Sequence, residues 1–190
     1  MRFRELNIRG VFQIELNPNN ENELGFFMRM YDKEIFTTHG LPTNWVQESI
    51  ALTKEKGTVR GFHFLYPPNN EAKLISILSG EAFYVFVDIR TDSPTLGKWG
   101  SVTLRAEQFG TLFIPRGFAA GMCTLTDNCL VLYRMDNIFN DDAKGGFKWD
   151  DPTLAISWPI EVPAVLSSRD QNAQSFKEFL EKSGGGIEVD

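Results

Sequence analysis

Hydrophobic and polar positions alternate with a period of two along much of the chain, in short runs. Phe12, Ile14 and Leu16 are separated by Gln13 and Glu15, the pattern of a half-buried strand, and Pro18-Asn19-Asn20 then breaks the run. The same reading predicts strands over 25–31, over 73–78 ended by Ser79-Gly80, and over 81–90, where Phe83, Val85, Val87 and Ile89 alternate with Ala82, Tyr84, Phe86 and Asp88. Further strands are expected over 102–104, over 111–114 before Pro115, and over 130–135. Helix is confined to the edges. A turn or two fits 33–39 ahead of Gly40, and near the C-terminus Ser175 is an N-cap, Glu178 completes its capping box, and Phe176, Phe179 and Leu180 share one face. The run Gly184-Gly185-Gly186 predicts a flexible tail over 183–190. Many short strands punctuated by Gly, Pro and Asn predict an all-β sandwich or barrel rather than a βαβ fold. With no internal repeat, linker or low-complexity segment, one domain over 1–190 is expected.

Composition adds material for the core and a sign for the partner. Of 190 residues 42 % are hydrophobic and sixteen are Phe, which implies a large aromatic interior and no disorder signature. Nineteen Lys and Arg against 25 Asp and Glu give a net charge of −6, the wrong sign for general attraction to nucleic acid or to an anionic membrane. An anionic ligand must therefore be held by a local group of Arg and Lys. The longest wholly apolar run, 82–87, is far short of the roughly 20 residues that span a bilayer, and the N-terminus has no apolar signal stretch, so a cytoplasmic protein is expected. Cys123 and Cys129 lie six apart without Cys-x-x-Cys spacing and read as small apolar fillers.

Only two histidines are present, His39 and His63, which rules out a His-x-His metal arrangement of the kind small β-barrel enzymes use. The phosphate-loop, serine-hydrolase and dinucleotide motifs are also missing. Acid–base chemistry or simple binding remains. The stretch Gly57-Thr58-Val59-Arg60-Gly61-Phe62-His63-Phe64 sets a guanidinium and an imidazole three residues apart in an apolar setting. Such an Arg can fork onto a phosphate, and a partly desolvated His can stay neutral as a general base must. A structural core His with a surface Arg fits the same stretch equally well.

That stretch is followed in order by Lys73-Leu74, by Val87-Asp88-Ile89-Arg90-x-x-Ser93-Pro94-Thr95-x-Gly97-Lys98-Trp99, and by Ile114-Pro115-x-Gly117-Phe118-Ala119. Trp149-x-Asp151-Pro152, Ile156-x-Trp158-Pro159 and Leu166-Ser167-x-x-Asp170 come next. Together they resemble the dTDP-4-dehydrorhamnose 3,5-epimerase family over roughly 10–170. The resemblance implies an antiparallel cupin-like jelly roll with short peripheral helices and a homodimer in which an N-terminal strand adds to the neighbouring site. It also implies no metal, no organic cofactor, and a nucleotide-diphosphate 4-keto-6-deoxy sugar as substrate.

By the same resemblance His63 is the base, Asp170 its orienting partner, Tyr133 the acid on the opposite face and Lys73 the group that stabilises the oxyanion. Arg60 matches a diphosphate contact and Gln47 a nucleotide-pocket glutamine. Phe26 matches the aromatic given to the neighbouring subunit, and Arg29 a diphosphate or base contact; Ser49 and Tyr84 complete the expected substrate-binding set. Read singly, each has a plainer role: a buried tyrosine for Tyr133, a strand-edge charge for Lys73, a cap for Asp170, a core ring for Phe26.

Departures cluster at the implied site. Ala120 stands where the family usually has a second His, Tyr84 where it has Asp, and Leu65 where it has Gln; Leu24 and Ile138 replace residues typical of the nucleotide side. Three accounts follow. The set His63, Tyr133, Asp170 and Lys73 epimerises at C3 and C5; or the enzyme inverts one centre of a different nucleotide sugar; or the chain binds a sugar nucleotide without turnover. Retention of both a base and an acid argues against the last.

Overall fold

A computed structural model describes residues 1–189, apart from the side chain of Asn20. In chain order the elements are β1 (Arg2–Glu5), β2 (Phe12–Glu15), β3 (Asn20–Asn22), β4 (Gly25–Phe27), α1 (Lys33–Thr38), β5 (Gln47–Thr53), β6 (Val59–Leu65), β7 (Lys73–Ser79) and β8 (Glu81–Asp88). They continue with β9 (Trp99–Arg105), β10 (Thr111–Ile114), β11 (Phe118–Thr124), β12 (Cys129–Met135), β13 (Lys144–Gly146), α2 (Ser168–Gln171) and α3 (Phe176–Ser183). A six-stranded sheet in the order β1-β2-β10-β7-β12-β5 faces a five-stranded sheet in the order β13-β6-β11-β8-β9, with antiparallel pairing throughout. This is the jelly-roll sandwich expected.

The unbroken apolar run of β8 has a physical cause: both of its faces are covered. Ala82, Tyr84 and Phe86 point between the sheets and meet Ile75, Ile77, Leu112 and Val131. Val85 and Val87 point outward beneath a layer of Phe62, Phe64, Phe147, Phe176 and Phe179. Much of the unusual Phe content thus forms a second core outside the five-stranded sheet, closed by the apolar face of α3. That helix begins at Ser175 with the full capping box to Glu178. Both cysteines are buried, as expected, and burial pushes the Cys123 thiol up to about 11.

On the outer face of the six-stranded sheet, Phe36 of α1 packs with Ile14, Leu74 and Phe113. The β5 end of that face is bare: Ile50 and Leu52 are exposed, as is Leu78. The strand expected over 25–31 stops at Phe27. The Arg29 amide bonds instead to the Asn19 side chain and its guanidinium to Asp32, which caps α1. The β3–β4 hairpin projects with Leu24, Phe26 and Phe27 in the open.

The motif from Asp88 to Thr95 is scaffolding. The Asp88 carboxylate is fully buried and accepts bonds from the Arg90 backbone and guanidinium and from the Ser93 and Thr95 hydroxyls. Part of the tail expected to be flexible packs on the sandwich at Ile187. Ile187 is 3 % exposed; its N–H donates to Ile89 O at 2.7 Å and its carbonyl accepts from Thr91 N at 2.9 Å. Gly186 (φ +136) permits this approach, since a Cβ there would lie 2.8 Å from Ile89 O. Asp190 lies outside the described residues. Among the described residues no helix is long and apolar enough to cross a membrane.

Candidate active site

Arg60 and His63 are three residues apart, a spacing that puts side chains on opposite faces of a regular strand. In β6 the alternation is reset. His63 pairs with Ala120 and Arg60 with Met122, so Gly61 and Phe62 together stand against Gly121 alone. This bulge turns Arg60 and His63 to the same inner face, while Phe62 enters the outer aromatic layer. Gly61 (φ +111) is required there: an added Cβ would lie 2.6 Å from Ala120 O and 2.8 Å from Gly121 Cα.

Asp170 reaches the same strand from 107 positions away. Ser167 caps α2 by accepting from the Asp170 amide, and the Asp170 carboxylate then meets His63 Nε2 at 2.6 Å. Its side chain is only 4 % exposed against 37 % for His63. Burial by itself would raise this carboxyl, but the hydrogen bond and charge of His63, with donation from Ser167 and the Gly61 amide, hold it below the ordinary value. A carboxylate on Nε2 makes that nitrogen the donor and leaves Nδ1 with the lone pair, free of any partner among the described residues.

Facing this dyad is a wall built by the other sheet. Lys73 and Ile75 of β7, Tyr133 of β12 and Ala51 of β5 share a cavity of about 230 Å³ with His63, Arg60, Tyr84, Ala120 and Met122. Lys73 pairs with Glu71 at 2.9 Å, and both side chains are largely buried. Arg60 donates from Nε to Thr53 Oγ1 at 3.0 Å, which aims the rest of its fork at the opening; it has no ion pair among the described residues. The Tyr133 hydroxyl lies 2.9 Å from that of Tyr84 and 3.5 Å from the Met122 sulfur. Burial raises the Tyr133 phenol, against the opposing pull of the Tyr84 hydrogen bond and the Arg60 charge, so it stays protonated near neutral pH. A hollow lined by Tyr66, Lys144 and Arg169 reaches the dyad from behind and opens it to water.

Of the residues singled out from sequence, His63, Lys73, Tyr133, Arg60 and Tyr84 line one cavity, and Asp170 stands directly behind His63. Gln47 and Ser49 lie on β5 four and two residues before Ala51, toward the outside; Gln47 accepts from the Phe139 amide at 2.8 Å. Phe26 and Arg29 are outside the cavity lining: Phe26 packs on Phe109, and Arg29 pairs with Asp32. Three participants escaped the sequence reading, namely Glu71, Thr53 and Met122. Only Glu71 carried a signal, since an acid two residues before a lysine shares its face in extended chain. Among the described residues no three His, Cys, Asp or Glu side chains converge as a metal site needs.

Comparison with known proteins gives a consistent outcome. The model of the dTDP-4-dehydrorhamnose 3,5-epimerase family matches residues 5–178. An enzyme of that name from Methanothermobacter thermautotrophicus is 34 % identical over 179 residues, covering 93 % of this chain and 95 % of its own. The crystal structure of the Bacillus anthracis enzyme with TDP and PPi bound has 34 % identity and a TM-score of 0.88, covering 92 % of this chain and 99 % of that one. A dTDP-6-deoxy-D-glucose 3,5-epimerase of Legionella pneumophila, in complex with dTDP-4-keto-L-rhamnose, has 29 % identity and a TM-score of 0.90, with 100 % and 98 % covered.

Proposed function

The chain belongs to the dTDP-4-dehydrorhamnose 3,5-epimerase family, and from that premise we propose that it inverts C3 and C5 of dTDP-4-dehydro-6-deoxyglucose through proton transfers beside the C4 ketone. It is an epimerase. The ketone acidifies the hydrogens on both neighbouring carbons, so the reaction needs a base on one face, an acid on the other, and a positive group at the developing oxyanion.

His63 Nδ1 takes the proton and Asp170 stabilises the imidazolium that results. The C–H electron pair moves into the ring and onto O4 as an enolate, opposite the Lys73 ammonium. Tyr133 returns a proton to the same carbon from the other face. His63 then loses its proton to water and the Tyr133 phenolate regains one, so each centre ends inverted with no net change in protons. Arg60, at the opening, takes the diphosphate bidentately. Gln47 and Ser49 extend the site toward the nucleotide.

A homodimer in a cytoplasmic setting belongs to the same proposal. The projecting Leu24, Phe26 and Phe27 and the bare Ile50 and Leu52 support it, because isolated monomers rarely leave such apolar groups uncovered. In this arrangement Phe26 and Arg29 of one copy complete the site of the other.

The observation that carries the proposal is the 2.6 Å His63–Asp170 dyad facing Tyr133 and Lys73 across one cavity. It is tested by incubating the protein with dTDP-4-keto-6-deoxyglucose in D2O and reading the sugar by NMR. Deuterium at C3 and C5 is expected. Deuterium at one centre makes it a single-centre enzyme, and no exchange above the protein-free control refutes turnover of this substrate; CDP, GDP and UDP analogues then separate another nucleotide from a non-catalytic binder.

A further inference from the structure

Tyr84 is 2 % exposed, and its hydroxyl has one hydrogen-bond partner among the described residues, Tyr133 Oη at 2.9 Å. Either phenol could donate in isolation. Burial favours one assignment: were Tyr133 the donor, the Tyr84 proton would find no acceptor among the described residues. Tyr84 is therefore assigned as the donor. One lone pair of Tyr133 is then occupied, and its own proton points at the Met122 sulfur 3.5 Å away, a weak acceptor that yields easily to a better one. Ala120 lines the same cavity with a methyl group and offers no competing donor or acceptor.

Resting on the epimerase reading above, we propose that Tyr84 is a positioning residue for the acid. Its hydroxyl fixes the direction of the Tyr133 hydroxyl so that Tyr133 can only donate into the cavity, and it holds the Tyr133 oxygen once the proton has gone to carbon. The acid is thus supported by a neutral donor. The charged and titratable groups around it are Arg60, Lys73, His63 and Cys129. The Tyr84 hydrogen bond and the Arg60 charge both favour the Tyr133 phenolate, while burial opposes it.

Tyr84→Phe keeps the ring and removes the donor. Its inversion rate is expected to fall about tenfold, as loss of one hydrogen bond to a charged oxygen implies, with KM unchanged; in a Tyr133→Phe background the same change is expected to do nothing further. An equal loss in both backgrounds, or a loss confined to KM, overturns the proposal. A second measurement is independent of turnover. The chain has four tyrosines, so ring-carbon NMR of 13C-tyrosine protein follows Tyr133 directly. Its titration is expected to move up in Tyr84→Phe, which loses the donor that favours the phenolate. No movement overturns the proposal even if the wild type turns over no sugar nucleotide, whereas absent turnover with a moved titration refutes only the epimerase reading.

Discussion

Asp170→Asn keeps the shape of the side chain behind His63 and removes its charge. In the wild type the carboxylate is buried and sits 2.6 Å from Nε2, the geometry of a short charge-assisted bond to a ring that becomes cationic when it takes the substrate proton. Losing that bond costs about 1.5–3 kcal/mol, or about 10- to 150-fold in kcat at 1.36 kcal/mol per decade. If the Asn amide turns its NH2 toward Nε2, the ring must carry its proton on Nδ1, the nitrogen that the proposed mechanism uses as the base. The loss then rises toward about 10⁴-fold, the scale seen when a dyad His is forced into the wrong tautomer. KM is expected to hold, since Asp170 touches no substrate. Initial rates of deuterium uptake, on protein whose melting temperature shows it folded, measure the effect. A kcat within about twofold of wild type would refute the dyad.

Asp88→Asn is expected to cost about 3 kcal/mol at pH 7 in urea unfolding, because it removes the buried negative charge facing Arg90 and turns one of the two oxygens that accept from Arg90, Ser93 and Thr95 into a donor. Burial alone would raise the Asp88 carboxyl, but these donors hold it below 3.8 in the folded protein, so its stabilisation is complete above that value and fades as pH falls through the lowered one; the gap to wild type should narrow below pH 4. Thr53→Val removes the acceptor for Arg60 Nε and is expected to raise KM about three- to tenfold at constant kcat, read from saturation curves. Glu71→Gln unpairs Lys73 and is expected to lower kcat about tenfold with little change in KM.

The strands legible in the sequence are those whose side chains differ cleanly between faces or are β-branched: β2, β7, β8, β10, β12 and the middle of β9. Those that escaped notice break the rule for a local reason. β6 loses its period at the Gly61–Phe62 bulge, and β11 reads Phe-Ala-Ala-Gly-Met-Cys-Thr because its neighbour leaves no room: a Cβ on Gly121 would sit 3.1 Å from the Phe62 ring. Of the glycines after α3, Gly186 permits close docking beside Ile89, a long-range contact that a run of glycines does not announce. For the site, Arg60 and His63 could be singled out from their local stretch, whereas the pairing of His63 with Asp170 was named only through family resemblance, since the two are 107 positions apart and nothing local links them. The Tyr84–Tyr133 contact was invisible because it depends on how two sheets face each other, which no period along one strand reports.

The central claim is that base and acid act from opposite walls of one cavity, and isotope exchange in two variants tests it most directly. In D2O with dTDP-4-keto-6-deoxyglucose, His63→Asn is expected to abolish deuterium uptake. Tyr133→Phe is expected to retain uptake, with deuterium returned to the face it left and no inverted sugar formed. Inverted product at the wild-type rate from either variant would contradict the claim.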